Sequence, residues 1–107
     1  MSNTPHRVLV TGSSRGIGGA IAKRLALDGF DVALHCRNRP EGAKLLMAQI
    51  ASKAPKVKTN LLQFDIADRE HARSALEEDI QQNGVYYGVV CNAGISADKA
   101  FPAMNDE

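Results

Sequence analysis

The stretch Thr11-Gly12-Ser13-Ser14-Arg15-Gly16-Ile17-Gly18 constrains the fold of this chain more than any other. It follows a short apolar run, Val8-Leu9-Val10, and opens an amphipathic one, Ile17 through Leu25. A strand that turns through glycines into a helix is built to hold a phosphate. The glycines admit a close approach of backbone to ligand, and the helix N-terminus offers unbonded N–H groups at the positive end of its dipole. The glycines fall at positions 12, 16 and 18, a G-x-x-x-G-x-G spacing. That is not G-x-G-x-x-G, and without a Gly-Lys-Ser/Thr ending it is not a P-loop.

The remainder alternates strand and helix patterns. A first strand is expected over Arg7 to Thr11, then a helix from about Gly16 with Ile17, Ala20, Ile21 and Leu25 on one face, ending at Asp28-Gly29. A second strand follows over Asp31 to Cys36, mostly apolar as buried parallel strands are. Pro40 suits a first helical position; Ala43, Met47, Ile50 and Ala54 share a face of that helix, and Pro55 closes it. A third strand, roughly Val57 to Phe64, leads to Asp65. Asp68 is the expected N-cap of a third helix with Ala72, Ala75, Leu76 and Ile80 as its stripe and Gly84 as its stop. A fourth strand is expected over Tyr86 to Asn92.

This β-α-β-α-β-α-β order predicts an α/β fold of the Rossmann type, a doubly wound parallel sheet with strand order 3-2-1-4. Ligands bind such a sheet at the carboxyl ends of the strands, where the winding reverses. Thr11–Gly18 and Asn92-Ala93-Gly94 both fall there. The closing residues Asn105-Asp106-Glu107 look like an N-cap and an acidic first turn with no helix after them. With the fourth strand left as an apolar edge, residues 1–107 are expected to be the N-terminal dinucleotide-binding half of one longer domain.

Composition narrows the partners. A net charge of +1 gives no electrostatic reason to expect nucleic acid or a membrane surface. No apolar run approaches the ~20 residues of a membrane span, and no secretory h-region follows Met1, so the default location is cytoplasmic. Cys36 and Cys91 end apolar runs with no metal-ligand spacing around them, and both are expected to be buried free thiols. In the 3-2-1-4 order a strand separates them, which sets their Cα atoms roughly 10 Å apart, too far for a disulfide. His6, His35 and His71 are scattered, and none is assigned a catalytic role. No metal site is expected.

Thr-Gly-x-x-x-Gly-Ile-Gly, with Asp65 after the third strand and Asn92-Ala93-Gly94 after the fourth, resembles the short-chain dehydrogenase/reductase family over Val8 to Met104. Within it, Gly12 to Gly18 and Asn92-Ala93-Gly94-Ile95-Ser96-Ala97-Asp98 are most similar to the 3-oxoacyl-[acyl-carrier-protein] reductases. Two positions depart from the pattern: Cys91 where the family usually has Asn, and Ala97 where these reductases often carry a basic residue. The resemblance implies that Gly12, Ser13, Ser14, Arg15, Gly16, Ile17 and Gly18 surround the cofactor's pyrophosphate and ribose. It further implies that Asp65 and Ile66 contact the adenine, and that Asn92, Ala93 and Gly94 line the ribose. It implies a homotetramer for the whole protein.

The end of the second strand selects between the two nicotinamide cofactors. NAD sites place a carboxylate there for the ribose 2′-OH. Here the segment reads His35-Cys36-Arg37-Asn38-Arg39, without an acid. A guanidinium can grip a 2′-phosphate that a carboxylate would repel, so NADP is the expected cofactor, with Arg37 and Arg15 as the clamp and Asn38 beside it. The family's proton donor is a Tyr in a Tyr-x-x-x-Lys helix, and no such pair occurs among these 107 residues. Catalytic residues are therefore expected to lie outside this stretch. The function implied for the intact protein is NADPH-dependent reduction of a carbonyl, a 3-oxoacyl-[acyl-carrier-protein] thioester. The alternatives are a reductase of a sugar, steroid or small alcohol, or a non-catalytic NADP-binding module.

Overall fold

A computed structural model describes residues 6–13 and 16–92. Four parallel strands, β1 (Arg7–Val10), β2 (Asp31–Cys36), β3 (Thr59–Gln63) and β4 (Gly88–Val90), alternate with helices α1 (Gly16–Leu27), α2 (Glu41–Lys53) and α3 (Arg69–Asn83). The sheet order is β3-β2-β1-β4, as the alternation predicts. Leu9 pairs with Ala33 on one side and Val89 on the other, and Ala33 in turn with Asn60. Every residue of β1 and β2 is buried, which fits two central strands covered on both faces.

The main core lies between one sheet face and α1 with α2. Val8, Val10, Val32 and Leu34 meet Ala22, Ala26, Ala43, Leu46 and Ile50. The buried face of α1 is Gly18, Gly19, Ala22 and Ala26. This corrects the expected stripe by one position: Ile17 is 72% exposed and Ala20 lies outside, while Ile21 and Leu25 are half-buried at the edge. Small residues let the helix lie close on the sheet. On α2 the same packing recruits Leu46, with Met47 at its border.

Termini follow the local chemistry. Gly29, at φ 101°, ends α1, with the Gly29 and Phe30 N–H groups donating to Ala26 and Leu25. Asp68 caps α3 by accepting from the His71 N–H at 3.1 Å. Pro40 is the cap residue of α2 rather than its first turn. Three strands are shorter than expected, β1 by Thr11 alone, which begins the turn. The Val57 N–H turns back to Ala54, so β3 starts at Thr59. Tyr86 points its hydroxyl at Asp79, so the β4 ladder begins at Gly88. Cys36 is buried as expected but Cys91 is exposed, because it lies beyond the last paired residue of an edge strand. Both thiols are free.

Among the described residues no helix is long and apolar enough to cross a membrane. Ser14, Arg15, Ala93, Gly94 and the segment Asn105-Asp106-Glu107, all singled out above, lie outside the described residues.

Candidate dinucleotide site

The carboxyl ends of the four strands gather the turn after β1, the Arg37-Asn38 end of β2, the Asp65-Ile66 turn after β3 and Asn92 after β4. Residues as far apart in sequence as Thr11 and Asn92, 81 positions, are brought to one crevice by the parallel register. Thr11 begins the turn and ties it to β4: its N–H donates to the Val90 carbonyl at 2.9 Å, and its Oγ1 accepts from the Asn92 N–H at 2.8 Å. The Asn92 side chain returns the tie, donating from Nδ2 to the Gly12 carbonyl at 3.3 Å.

Gly12 adopts φ 64°, a left-handed turn that favours glycine. Its carbonyl lies against Gly18 so closely that a Cβ on Gly18 would fall on that oxygen and 2.8 Å from Asn92 Nδ2. Only glycine fits at position 18, and the first turn of α1 is thereby seated on the loop. The Gly12 N–H points inward to His35 Nδ1 at 2.9 Å. Ser13 is also turned inward. It is fully buried, its N–H donates to the His35 carbonyl at 2.9 Å, and its Oγ accepts from the His35 N–H at 2.8 Å. Ser13 therefore supports the loop from behind. The outward part of the turn is Gly16 and Ile17, both exposed.

His35 is the residue whose role the sequence did not disclose. It is 1% exposed, and its Nε2 lies 2.8 Å from the Phe64 carbonyl. A carbonyl only accepts, so Nε2 carries the proton and Nδ1 is the acceptor that Gly12 requires. Burial lowers the imidazole below its ordinary value of 6.5, outweighing the Phe64 hydrogen bond and the Asp65 charge, which favour protonation. The signal available in the sequence was a polar residue within an otherwise apolar central strand, Val32-Ala33-Leu34-His35-Cys36. Such a residue must find partners when buried.

At the rim, Arg37 is exposed and pairs with the half-exposed Asp65 at 3.4 Å. Asp65 is also the turn residue of its loop, accepting from the Ala67 N–H at 2.9 Å. Asn38 is exposed and Ile66 half-buried.

These features suit a dinucleotide phosphate. The first turn of α1 leaves N–H groups without intrahelical partners and contains no acid. A Cβ at Gly16 would meet nothing within 4 Å. A cleft of about 820 Å³ lies at the opposite end of the sheet, around Arg7, Lys58, Asn60 and Tyr86. It has no helix N-terminus at its rim and offers no comparable phosphate seat.

The sequence profile of the short chain dehydrogenase family matches residues 6–107. The chain belongs to this family. It is 48% identical over 100 residues to the 3-oxoacyl-[acyl-carrier-protein] reductase FabG of Aggregatibacter actinomycetemcomitans, a match covering 94% of this chain and 40% of that relative. Among solved structures, the 3-oxoacyl-[acyl-carrier protein] reductase from Brucella melitensis in complex with NAD superposes with a TM-score of 0.77 at 28% identity, over 92% of this chain and 37% of that one. L-Sorbose reductase from Gluconobacter frateurii, complexed with NADPH and L-sorbose, gives 0.77 at 25% identity, over 97% and 38%. The chain thus spans well under half the length of these relatives. As a short-chain dehydrogenase it carries the fold and loop of an oxidoreductase family whose members bind nicotinamide cofactors.

Proposed function

We propose that the intact protein is an NADP(H)-dependent carbonyl reductase acting on a 3-oxoacyl thioester carried by acyl-carrier protein. The observation that carries the cofactor choice is the acid-free end of β2, where Arg37 stands exposed with its guanidinium on Asp65 at the rim of the crevice. The substrate class is supported by the 48% identity to a 3-oxoacyl-[acyl-carrier-protein] reductase.

In this reading Ser14, Gly16 and Ile17 face the pyrophosphate, Gly18 lets the helix sit close enough to present them, and Gly12 with Ser13 holds the loop from behind. Arg37 and Arg15, with Asn38, grip the 2′-phosphate; a bound phosphate would draw the Arg37 guanidinium from Asp65, an exchange made easy because exposed ion pairs are worth at most about 1 kcal/mol. Asp65 and Ile66 bracket the adenine, while Asn92, Ala93 and Gly94 line the ribose. When bound, the cofactor supplies a hydride for a carbonyl carbon. The residues named here bind and orient it, and the proton donor belongs to a part of the protein outside residues 1–107. We assign these residues to the N-terminal, dinucleotide-binding half of one domain, in a homotetrameric cytoplasmic enzyme with no metal, nucleic-acid or membrane partner.

A sugar or other small carbonyl compound is the second reading, favoured by the likeness to L-sorbose reductase. The test is NADPH oxidation by the intact protein with an acetoacetyl thioester, L-sorbose and a simple ketone side by side. The thioester is expected to be the preferred substrate by kcat/KM. Preference for sorbose or the ketone would replace the substrate assignment, and NADPH binding without turnover of any of them would favour a non-catalytic module.

A further inference from the structure

We propose that His35 is the positioning residue of the glycine loop: its neutral imidazole, protonated at Nε2, fixes the Gly12 N–H and, through the turn at Gly12, the seat of α1. The inference rests on reading that loop as the dinucleotide site.

The geometry is a strut with two ends. At one end Nδ1 accepts from the Gly12 N–H at 2.9 Å; at the other Nε2 donates to the Phe64 carbonyl at 2.8 Å, at the end of β3. The ring is clamped further by Phe64, whose centroid lies 4.3 Å away at a 45° tilt. The backbone of His35 holds the next loop residue, exchanging hydrogen bonds with the Ser13 N–H and Oγ. One residue of β2 therefore fixes two consecutive residues of the loop after β1.

Gly12 then transmits the constraint. Its N–H is committed to the imidazole, and its carbonyl is committed to Asn92 Nδ2 and pressed against Gly18. The N–H and the carbonyl lie in the two peptide units that flank the Gly12 Cα, so the φ 64° turn joining them links the His35 bond on one side to the Asn92 bond and the contact that seats α1 on the other. The acceptor ring is 1% exposed, and an N–H left facing that side without an acceptor is costly. The role depends on the tautomer: a second proton at Nδ1 would set donor against donor. The ionised group facing the ring is Asp65 beside Phe64, itself paired with Arg37, whereas Thr11, Gly12, Ser13 and the first turn of α1 contribute no charge.

Two substitutions of similar polarity separate positioning from mere stability. In His35→Asn the side-chain oxygen can stand where Nδ1 stands and accept from Gly12. In His35→Gln the side-chain nitrogen can stand where Nε2 stands and donate to Phe64, leaving Gly12 without its acceptor. The intact protein and both variants would be compared by Gly12 amide hydrogen exchange without nucleotide, by NADPH titration and by melting temperature.

The wild type should show a protected Gly12 amide, His35→Asn should keep that protection, and His35→Gln should lose it. NADPH affinity should follow, with His35→Gln about tenfold or more weaker than His35→Asn, the scale of one buried donor left unpaired. An unprotected Gly12 amide in the wild type, or equal protection and affinity in the two variants, would overturn the proposal. If Gly12 protection splits as expected while the wild type binds neither NADPH nor NADH, the positioning role stands and the cofactor reading fails.

Discussion

The two ends of the sheet solve the same problem, polar groups at strand termini, in opposite ways. At the amino end the polar groups are charged and spend themselves on one another. Arg7 pairs with Asp79 at 2.9 Å, its guanidinium donates to the Gly84 carbonyl at 2.6 Å, and it lies 4.6 Å over the Tyr86 ring. Asp79 in addition accepts from Asn60, Asn83 and Tyr86. Burial alone would raise this carboxyl, but those hydrogen bonds and the Arg7 charge outweigh it and hold it below its ordinary 3.8. Burial and the Asp79 carboxylate in turn push the Tyr86 phenol well above its ordinary range. At the carboxyl end the buried polar residues are neutral, Thr11, Ser13 and His35, and the charges of Arg37 and Asp65 stay at the rim. A network of paired charges, with Arg7 Nε buried and unbonded within it, anchors α3 to the sheet. A loop held from behind by neutral groups keeps its outer face available to an anion.

That contrast predicts a separation between stability and binding. The largest effect should come from Asp79→Ala, which leaves the buried Arg7 guanidinium without its counter-charge. Breaking a buried pair in this way costs about 3–5 kcal/mol, read as a fall in the urea midpoint, while nucleotide affinity of the still-folded protein stays near wild type. Gly18→Ala attacks the other end. Its Cβ has no room beside the Gly12 carbonyl, and overpacking of this kind costs about 1–3 kcal/mol. Here, unlike Asp79→Ala, NADPH affinity should fall with stability, because the displaced backbone is the loop itself. A loss of affinity in Asp79→Ala, or none in Gly18→Ala, would erase the distinction between the two ends.

Acid unfolding should show the same division more weakly. His35 titrates below 6.5 in the folded protein, so the unfolded chain takes up that proton first. Its contribution is full above the unfolded value of about 6.5 and is lost as pH falls toward the folded one. Asp79 is also depressed, and its contribution is full above about 3.8 and lost below it. Urea midpoints measured against pH should therefore step down in two stages. His35→Asn should remove the upper step and Asp79→Asn the lower one.

How much of this was legible follows from the range of each interaction. Gly12 and Gly18, the Asp68 cap and the Gly29 stop act within a few residues, and their local chemistry is written in the sequence. Strand order followed from the alternation of elements, because right-handed crossovers leave few arrangements. The partners of His35 and Asp79 were not legible. Gly12 lies 23 positions from His35, and Arg7 lies 72 positions from Asp79, so only the assembled sheet brings them together. The stripe of α1 was read one position off for a related reason. Ile17 carries the most apolar side chain of its turn, yet glycine and alanine face the sheet because the loop demands close approach there.

Whether the carboxyl end of the sheet holds NADP(H) by way of Arg37 is decided by titrating the intact protein and its Arg37→Asp variant with NADPH and NADH. The wild type should bind NADPH more tightly than NADH, and the variant should lose about tenfold or more of its NADPH affinity, the scale of a charge-assisted phosphate contact, with NADH binding retained. A variant that binds NADPH as tightly as the wild type would contradict the account.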